Sequence, residues 1–137
     1  MSKRRAIIPK GWEIYEHLTF APAVRRGNML YISGTDATEI DLQAGKLVIK
    51  GDIVQQYRTI FLKMKMILDA AGGTFDDVVW TCDYIRTKEG YKGTAAVRRE
   101  FFGASFPAST GIVVQDLLSK DALVEMDAVA MLGSQHA

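Results

Sequence analysis

The sequence predicts an α+β fold in which a mixed β-sheet carries two helices on one face. Three observations predict it. Ile53, Tyr57, Ile60, Phe61, Met64, Ile67, Leu68 and Ala71 recur at helical spacing and make one apolar stripe. The segment Leu123 to Leu132 alternates instead, with Val124, Met126, Ala128 and Ala130 on one side and Leu123, Glu125, Asp127 and Val129 on the other. The remaining patterns place the elements in the order β-β-β-α-β-α-β-β, with no repeat or low-complexity linker.

The elements follow in turn. A strand is expected around Glu13 to Leu18, then an extended stretch from Thr19 to Val24, where Pro22 suits a strand edge or bulge. Arg25-Arg26-Gly27-Asn28 reads as a turn. Met29 to Ile32 is apolar on both faces and reads as a central strand ending at Ser33-Gly34. The chain to Gly45 is polar and loop-like, and Lys46 to Lys50 suits a short strand. The long helix spans Ile53 to Ala71. Asp52 and Gln55 form a capping-box pattern at its start, and Gly72-Gly73 can take the left-handed conformation at its end. Val78 to Arg86 is a strand, with Val79, Thr81, Asp83 and Ile85 sharing one face. A second helix runs from Tyr91 to Phe102 and stops at Gly103. Phe106 to Gly111 reads as a turn before a short strand, Ile112-Val113-Val114.

Composition narrows the class. The 137 residues suit one domain, 1–137, able to bury a core without staples. Apolar residues at 48% and a net charge of +1 argue against disorder. Lys and Arg number 17 against 16 Asp and Glu, too even for a strong nucleic-acid binder. Basic groups do cluster at Lys3-Arg4-Arg5, Arg25-Arg26 and Arg98-Arg99; solvated surface explains them, and so would a local anion site. One cysteine, Cys82, excludes an internal disulfide, and its apolar setting suits a buried thiol. With histidine only at His17 and His136, no structural zinc spacing exists. No run approaches the ~20 apolar residues of a membrane helix, and Pro9-Lys10 interrupts any signal-peptide core. The expectation is a cytoplasmic protein with no membrane contact and no metal.

Few positions carry chemistry. Glu125 and Asp127 leave the same strand face; they suit a general acid/base pair or an outer face in water. Ser109, Thr110 and Gly111 could expose backbone N–H groups and hold an anion, or merely turn the chain. Ser33-Gly34 has the same two readings. No histidine accompanies these serines, so a Ser-His-Asp triad is not supported.

Four phrases together resemble the YjgF/Rid family of reactive-intermediate deaminases, also labelled L-PSP endoribonucleases. They are Phe20-Ala21-Pro22-Ala23-Val24-Arg25-Arg26-Gly27-Asn28-Met29-Leu30-Tyr31-Ile32-Ser33-Gly34, Asp76-Asp77-Val78-Val79, Phe101-Phe102-Gly103, and Ala122-Leu123-Val124-Glu125-Met126-Asp127-Ala128-Val129-Ala130. The resemblance implies a chorismate-mutase-like fold. It also implies a homotrimer whose sheets form a central barrel with clefts between subunits. Family deaminases hydrolyse imines or enamines of small 2-amino acids to 2-keto acids and ammonia, without a cofactor.

The chain departs from the family pattern at the site. Family deaminases carry an arginine after the segment matching Pro107-Ala108, and it grips the substrate carboxylate. Here Ser109 and Thr110 follow, and no Arg or Lys stands between Phe101 and Ser119. Phe20 replaces a tyrosine and Ala95 an asparagine. Ser33, Gly34 and Glu125 match, the glutamate being the position that holds the attacking water. The resemblance therefore implies an arginine-less subgroup. Glu125, Ser109 and Thr110 are its catalytic candidates, and Phe20, Ser33, Gly34, Arg98 and Gly111 its substrate-binding ones. Arg98 or Arg99 either replaces the missing cation or is surface. The expected function is a small-molecule hydrolase or deaminase acting on an imine, enamine or unsaturated acid between subunits; 2-aminomuconate deaminase is one such family activity. The alternatives are a non-catalytic trimer binding a metabolite or protein and, with less support, an endoribonuclease.

Overall fold

The computed structural model describes residues 3–41 and 43–133; His136 lies outside them. Among the described residues the strands are β1 (Arg5–Ile7), β2 (Ala23–Arg26), β3 (Met29–Thr35), β4 (Glu39–Asp41), β5 (Lys46–Val48), β6 (Val78–Ile85), β7 (Ala108–Val113) and β8 (Val124–Met131). The α-helices are α1 (Ile53–Ala71) and α2 (Thr94–Phe102). Six strands form one sheet in the order β1-β2-β3-β8-β6-β7, and β4 and β5 make a separate hairpin. Only the β6–β7 pair is parallel, joined by the α2 crossover.

Helix α1 has the bounds its periodicity predicts. The Asp52 side chain accepts from the Gln55 amide, the Gln55 side chain accepts from the Asp52 amide, and Gly72 caps the end with φ of 79°. All eight residues of its predicted stripe are buried. They face Leu30 and Ile32 of β3 and Val124, Met126, Ala128 and Ala130 of β8 across the core. Buried Gln56 ties the helix to the segment leading into β8: its amide donates to the carbonyls of Gly51 and Asp121, and its oxygen accepts from the Leu123 N–H. Phe61 packs against Tyr57, Phe75, Phe101 and Phe102, joining α1 to α2.

Several local expectations are corrected. Glu13 to Leu18 is not a strand but a 3-10 helix, Glu13–His17, with no buried residue that could cover a sheet. Turn hydrogen bonds from Trp12 to Pro9, Tyr15 to Trp12 and Leu18 to Tyr15 close it, and helical spacing lets Trp12 stack on Tyr15. Strand pairing in the next segment starts at Ala23, and Arg25 and Arg26 belong to β2; the turn is Gly27-Asn28 alone. β3 runs through Ser33 and Gly34 to Thr35, with a bulge between Ile32 and Thr35. A second bulge between Val78 and Trp80 puts Val78, not Val79, on the helix face with Thr81, Asp83 and Ile85. The second helix opens as a 3-10 turn, Tyr91–Gly93. Ala108 to Gly111 is no turn: pairing with Trp80 to Asp83 draws it into β7.

The helices cover one face of the sheet. On the other, Tyr31 is 56% and Met131 46% exposed. Phe61→Ala should cost about 3–5 kcal/mol of unfolding free energy, since it empties the contact between α1 and α2. Urea denaturation measures this, and a loss under about 1 kcal/mol would mean the two helices are held by other contacts.

Candidate active site

β8 alternates as its sequence requires, so Glu125 and Asp127 leave the face without helices while their neighbours Val124, Met126 and Ala128 are buried. The bulge in β3 brings Gly34 beside Glu125. A Cβ built on Gly34 would overlap the Glu125 carboxylate, so glycine alone leaves room for that side chain. Ser33 turns away: its hydroxyl donates to the Ala21 carbonyl at 2.6 Å and its amide to the Pro22 carbonyl. It thereby holds the chain beside Phe20.

Asp36 follows the bulge. Its two carboxylate oxygens accept from the Thr38 amide and the Ser119 hydroxyl. Burial alone would raise its pKa, but these hydrogen bonds and nearby Lys63 hold it below the ordinary value. Lys63 donates to the carbonyls of Asp36 and Thr38 and lies 5.8 Å from the Trp12 ring centre. The Tyr15 ring, edge-on to exposed Phe20, has its hydroxyl pKa raised by burial and by the Asp36 charge. An aromatic wall of Trp12, Tyr15 and Phe20 therefore stands next to the carboxylates. On β8, Asp127 accepts from the Tyr84 hydroxyl at 3.0 Å, while its other oxygen is buried without a partner.

Glu125 itself has no hydrogen-bond donor among the described residues. Partial burial raises its pKa above 4.5, and the charges of Asp36 and Asp127 add to the rise. The arrangement leaves a half-buried basic oxygen free to accept from water or a ligand. Among the described residues no three of His, Cys, Asp and Glu are grouped so as to hold a metal ion.

The other candidates lie apart from Glu125 within one chain. Ser109 is in register with Thr81 and accepts from its hydroxyl at 3.3 Å, on the helix side of the sheet. Thr110, in register with Cys82, lies on the open side, in the row of Asp127. Gly111 packs under the Tyr91 hydroxyl. Arg98 is neither a free surface residue nor turned toward Glu125. It donates to the Tyr57 hydroxyl at 2.9 Å and to Thr81, and stacks over Phe102. Behind it Asp83, fully buried, accepts from both Tyr57 and Tyr91. Burial raises the Asp83 pKa, although both tyrosines and Arg98 oppose the rise. Arg99 stays exposed. Asp36, Lys63, Tyr15 and Ser119 escaped the sequence reading, because no spacing signal links a loop to a helix and to the segment before β8.

Fold and site together define a class: an α+β domain with one helix-covered sheet and a half-buried glutamate on the bare face. The family model described as Endoribonuclease L-PSP matches residues 13–132, and the chain belongs to this family, the YjgF/Rid family. It is 36% identical over 111 residues to the RutC family protein PH0854 of Pyrococcus horikoshii, covering 81% of this chain and 85% of that one. It is 28% identical over 113 residues to a 2-iminobutanoate/2-iminopropanoate deaminase of Dermatophagoides farinae, covering 82% and 85%. The solved structure of PA3499 from Pseudomonas aeruginosa, a protein of unknown function, superposes with a TM-score of 0.84 at 29% identity, covering 96% of this chain and 94% of that one.

The Glu125 pKa sets a sign for stability. The folded state holds this proton more tightly, so the group's contribution is present below 4.5 and lost as pH rises through the raised value. Asp36→Asn keeps the shape and removes one repelling charge. The Glu125 midpoint, followed by NMR of the labelled carboxyl, should fall toward 4.5; an unchanged midpoint would leave burial and Asp127 as its causes.

Proposed function

We propose that the chain, acting as one domain in a cytoplasmic homotrimer, hydrolyses a small imine, or an enamine through its imine tautomer, in clefts between subunits, without a cofactor. The observation that carries this reading is the Glu125 carboxylate, half-buried and undonated, facing a glycine at a bulge. Water held by Glu125 attacks the carbon of the protonated imine and gives a proton to the carboxylate as the C–O bond forms, leaving a neutral carbinolamine. The proton passes from Glu125 to the amino nitrogen; the C–N bond then breaks as the hydroxyl becomes a carbonyl, and ammonia leaves with the hydroxyl proton as ammonium. The raised Glu125 pKa brings the base closer to the proton it must take up. Phe20 and Tyr15 give the cleft an apolar wall.

A trimer accounts for the separation of the two residue groups. The β7 edge with Ser109, Thr110 and Gly111 would face the Glu125 side of the neighbouring subunit, where backbone N–H groups and hydroxyls can hold a substrate oxygen. The exposed apolar residues Tyr31, Met131 and Ile112 on the bare face support burial by other copies. The kinship with a 2-iminobutanoate deaminase supports the reaction class. The even charge balance disfavours an endoribonuclease.

Two measurements test this. Sedimentation should give a mass three times 15.2 kDa; a monomer at micromolar concentration would remove the composite cleft. Imines generated in place by amino-acid oxidation or dehydration should be hydrolysed faster with the protein than without. Glu125→Gln should lower that rate by about a hundredfold or more, as loss of a general base does, with the trimer intact. Ligand binding unaffected by Glu125→Gln, in a protein that accelerates no imine, would favour the non-catalytic binding reading.

A further inference from the structure

The structure brings together two basic clusters that the sequence keeps apart. Antiparallel pairing of β1 with β2 sets Arg5 in register with Arg25. Arg4 immediately precedes β1 and Arg26 ends β2, so continuing this register one step would set them opposite each other. Lys3, Arg4 and Arg26 line one open surface hollow of about 400 Å³. Like charges facing each other across strands destabilise the pairing, yet none of these five cations makes a salt bridge among the described residues. Arg25 has a structural occupation, donating to the Ala71 carbonyl at the C-terminal end of α1 and to the Gly27 carbonyl. Among the described residues, no side chain or carbonyl accepts a hydrogen bond from the side chains of Lys3, Arg4, Arg5 or Arg26. With five cations on this edge, a chain of 17 basic and 16 acidic groups is acidic over the remainder of its surface.

We propose that this edge is a binding site for a small multivalent oxyanion, of the size and charge of pyrophosphate. A cavity of about 400 Å³ falls in the range of small-ligand sites and lies well below the footprint of a long polymer. Two arginines and a lysine around one hollow suit phosphoryl oxygens: arginine supplies paired donors in a fixed fork and lysine a compact charge. The bound anion would also relieve the repulsion between Arg4 and Arg26. The site is distinct from Glu125. Arg26 is aligned with Met29 and, through it, Met131 of β8, six residues beyond Glu125 and roughly 20 Å along the strand.

The test is calorimetric titration of the full chain in phosphate-free buffer with inorganic pyrophosphate, with ADP and with a short single-stranded RNA. Pyrophosphate should bind saturably, weaken as salt rises, and lose about tenfold or more in affinity in the double variant Arg4→Gln/Arg26→Gln. The variant Lys65→Gln, whose lysine pairs with Asp69 on α1, should bind as the parent does. Tighter binding of ADP than of pyrophosphate would identify a nucleotide as the source of the phosphates. Equal affinities would identify the free oxyanion; either outcome supports the site. In low salt without ligand the double variant should melt no lower than the parent, because it removes a repulsion. The proposal is overturned if pyrophosphate does not bind, if the double variant binds it unchanged, if RNA alone binds, or if that variant is markedly destabilised. In the last case the arginines hold the fold.

Discussion

The rest of the structure depends on the two-faced packing of strand β8. Val124, Met126, Ala128 and Ala130 must be buried, and the side-chain period of a strand is two. Every residue between them is therefore committed to the other face. Helix α1 supplies the cover, docked in one register by its apolar stripe and by Gln56, whose amide holds backbone groups on both sides of Ala122. A register slip of one residue would put two carboxylates into the core and expose four apolar side chains. Placement of Glu125 on the bare face thus follows from the energetics of burial. The bulge in β3 then sets Gly34 beside it, where the missing side chain leaves room for the carboxylate.

The polar groups between the helices and the β6–β7 edge obey a second constraint. Asp83 is fully buried on the helix face, where a lone carboxylate is costly. Tyr57 from α1 and Tyr91 from the turn before α2 both donate to it, and Arg98 donates in turn to Tyr57. These bonds connect both helices to β6 and bring Tyr91 against Gly111 of β7. They also explain why Arg98 is half-buried although it sits in a basic doublet: its neighbour Arg99 points to solvent, one residue around the helix.

Charge is distributed unevenly over a molecule whose total is close to zero. Three carboxylates, Asp36, Glu125 and Asp127, gather at one end of the bare face, with Lys63 bound to backbone carbonyls beside them. The basic edge of β1 and β2 lies at the other end. Each cluster raises the cost of its own charges. Both persist because the strands that carry them are held by apolar contacts elsewhere.

Local signals determined much of this protein from sequence alone. The α1 bounds, both of its caps, the alternation of β8 and the common face of Glu125 and Asp127 were all legible. Each rests on periodicity or on hydrogen bonds within a few residues. The family phrases were legible for the same reason, being contiguous. Tertiary structure alone decided what depends on partners distant in the chain. Residues 13–17 formed a 3-10 helix closed by local turn hydrogen bonds rather than joining an edge of the sheet. Ser109 and Thr110 entered β7, on opposite faces, because β6 lay alongside. Arg98 turned inward because Tyr57 and Thr81 offered it acceptors, and Asp36 came to bear on Glu125 because the β3 bulge redirected the chain. Each outcome is set by pairing or packing between segments far apart in sequence, and periodicity within one segment carries no information about its neighbour.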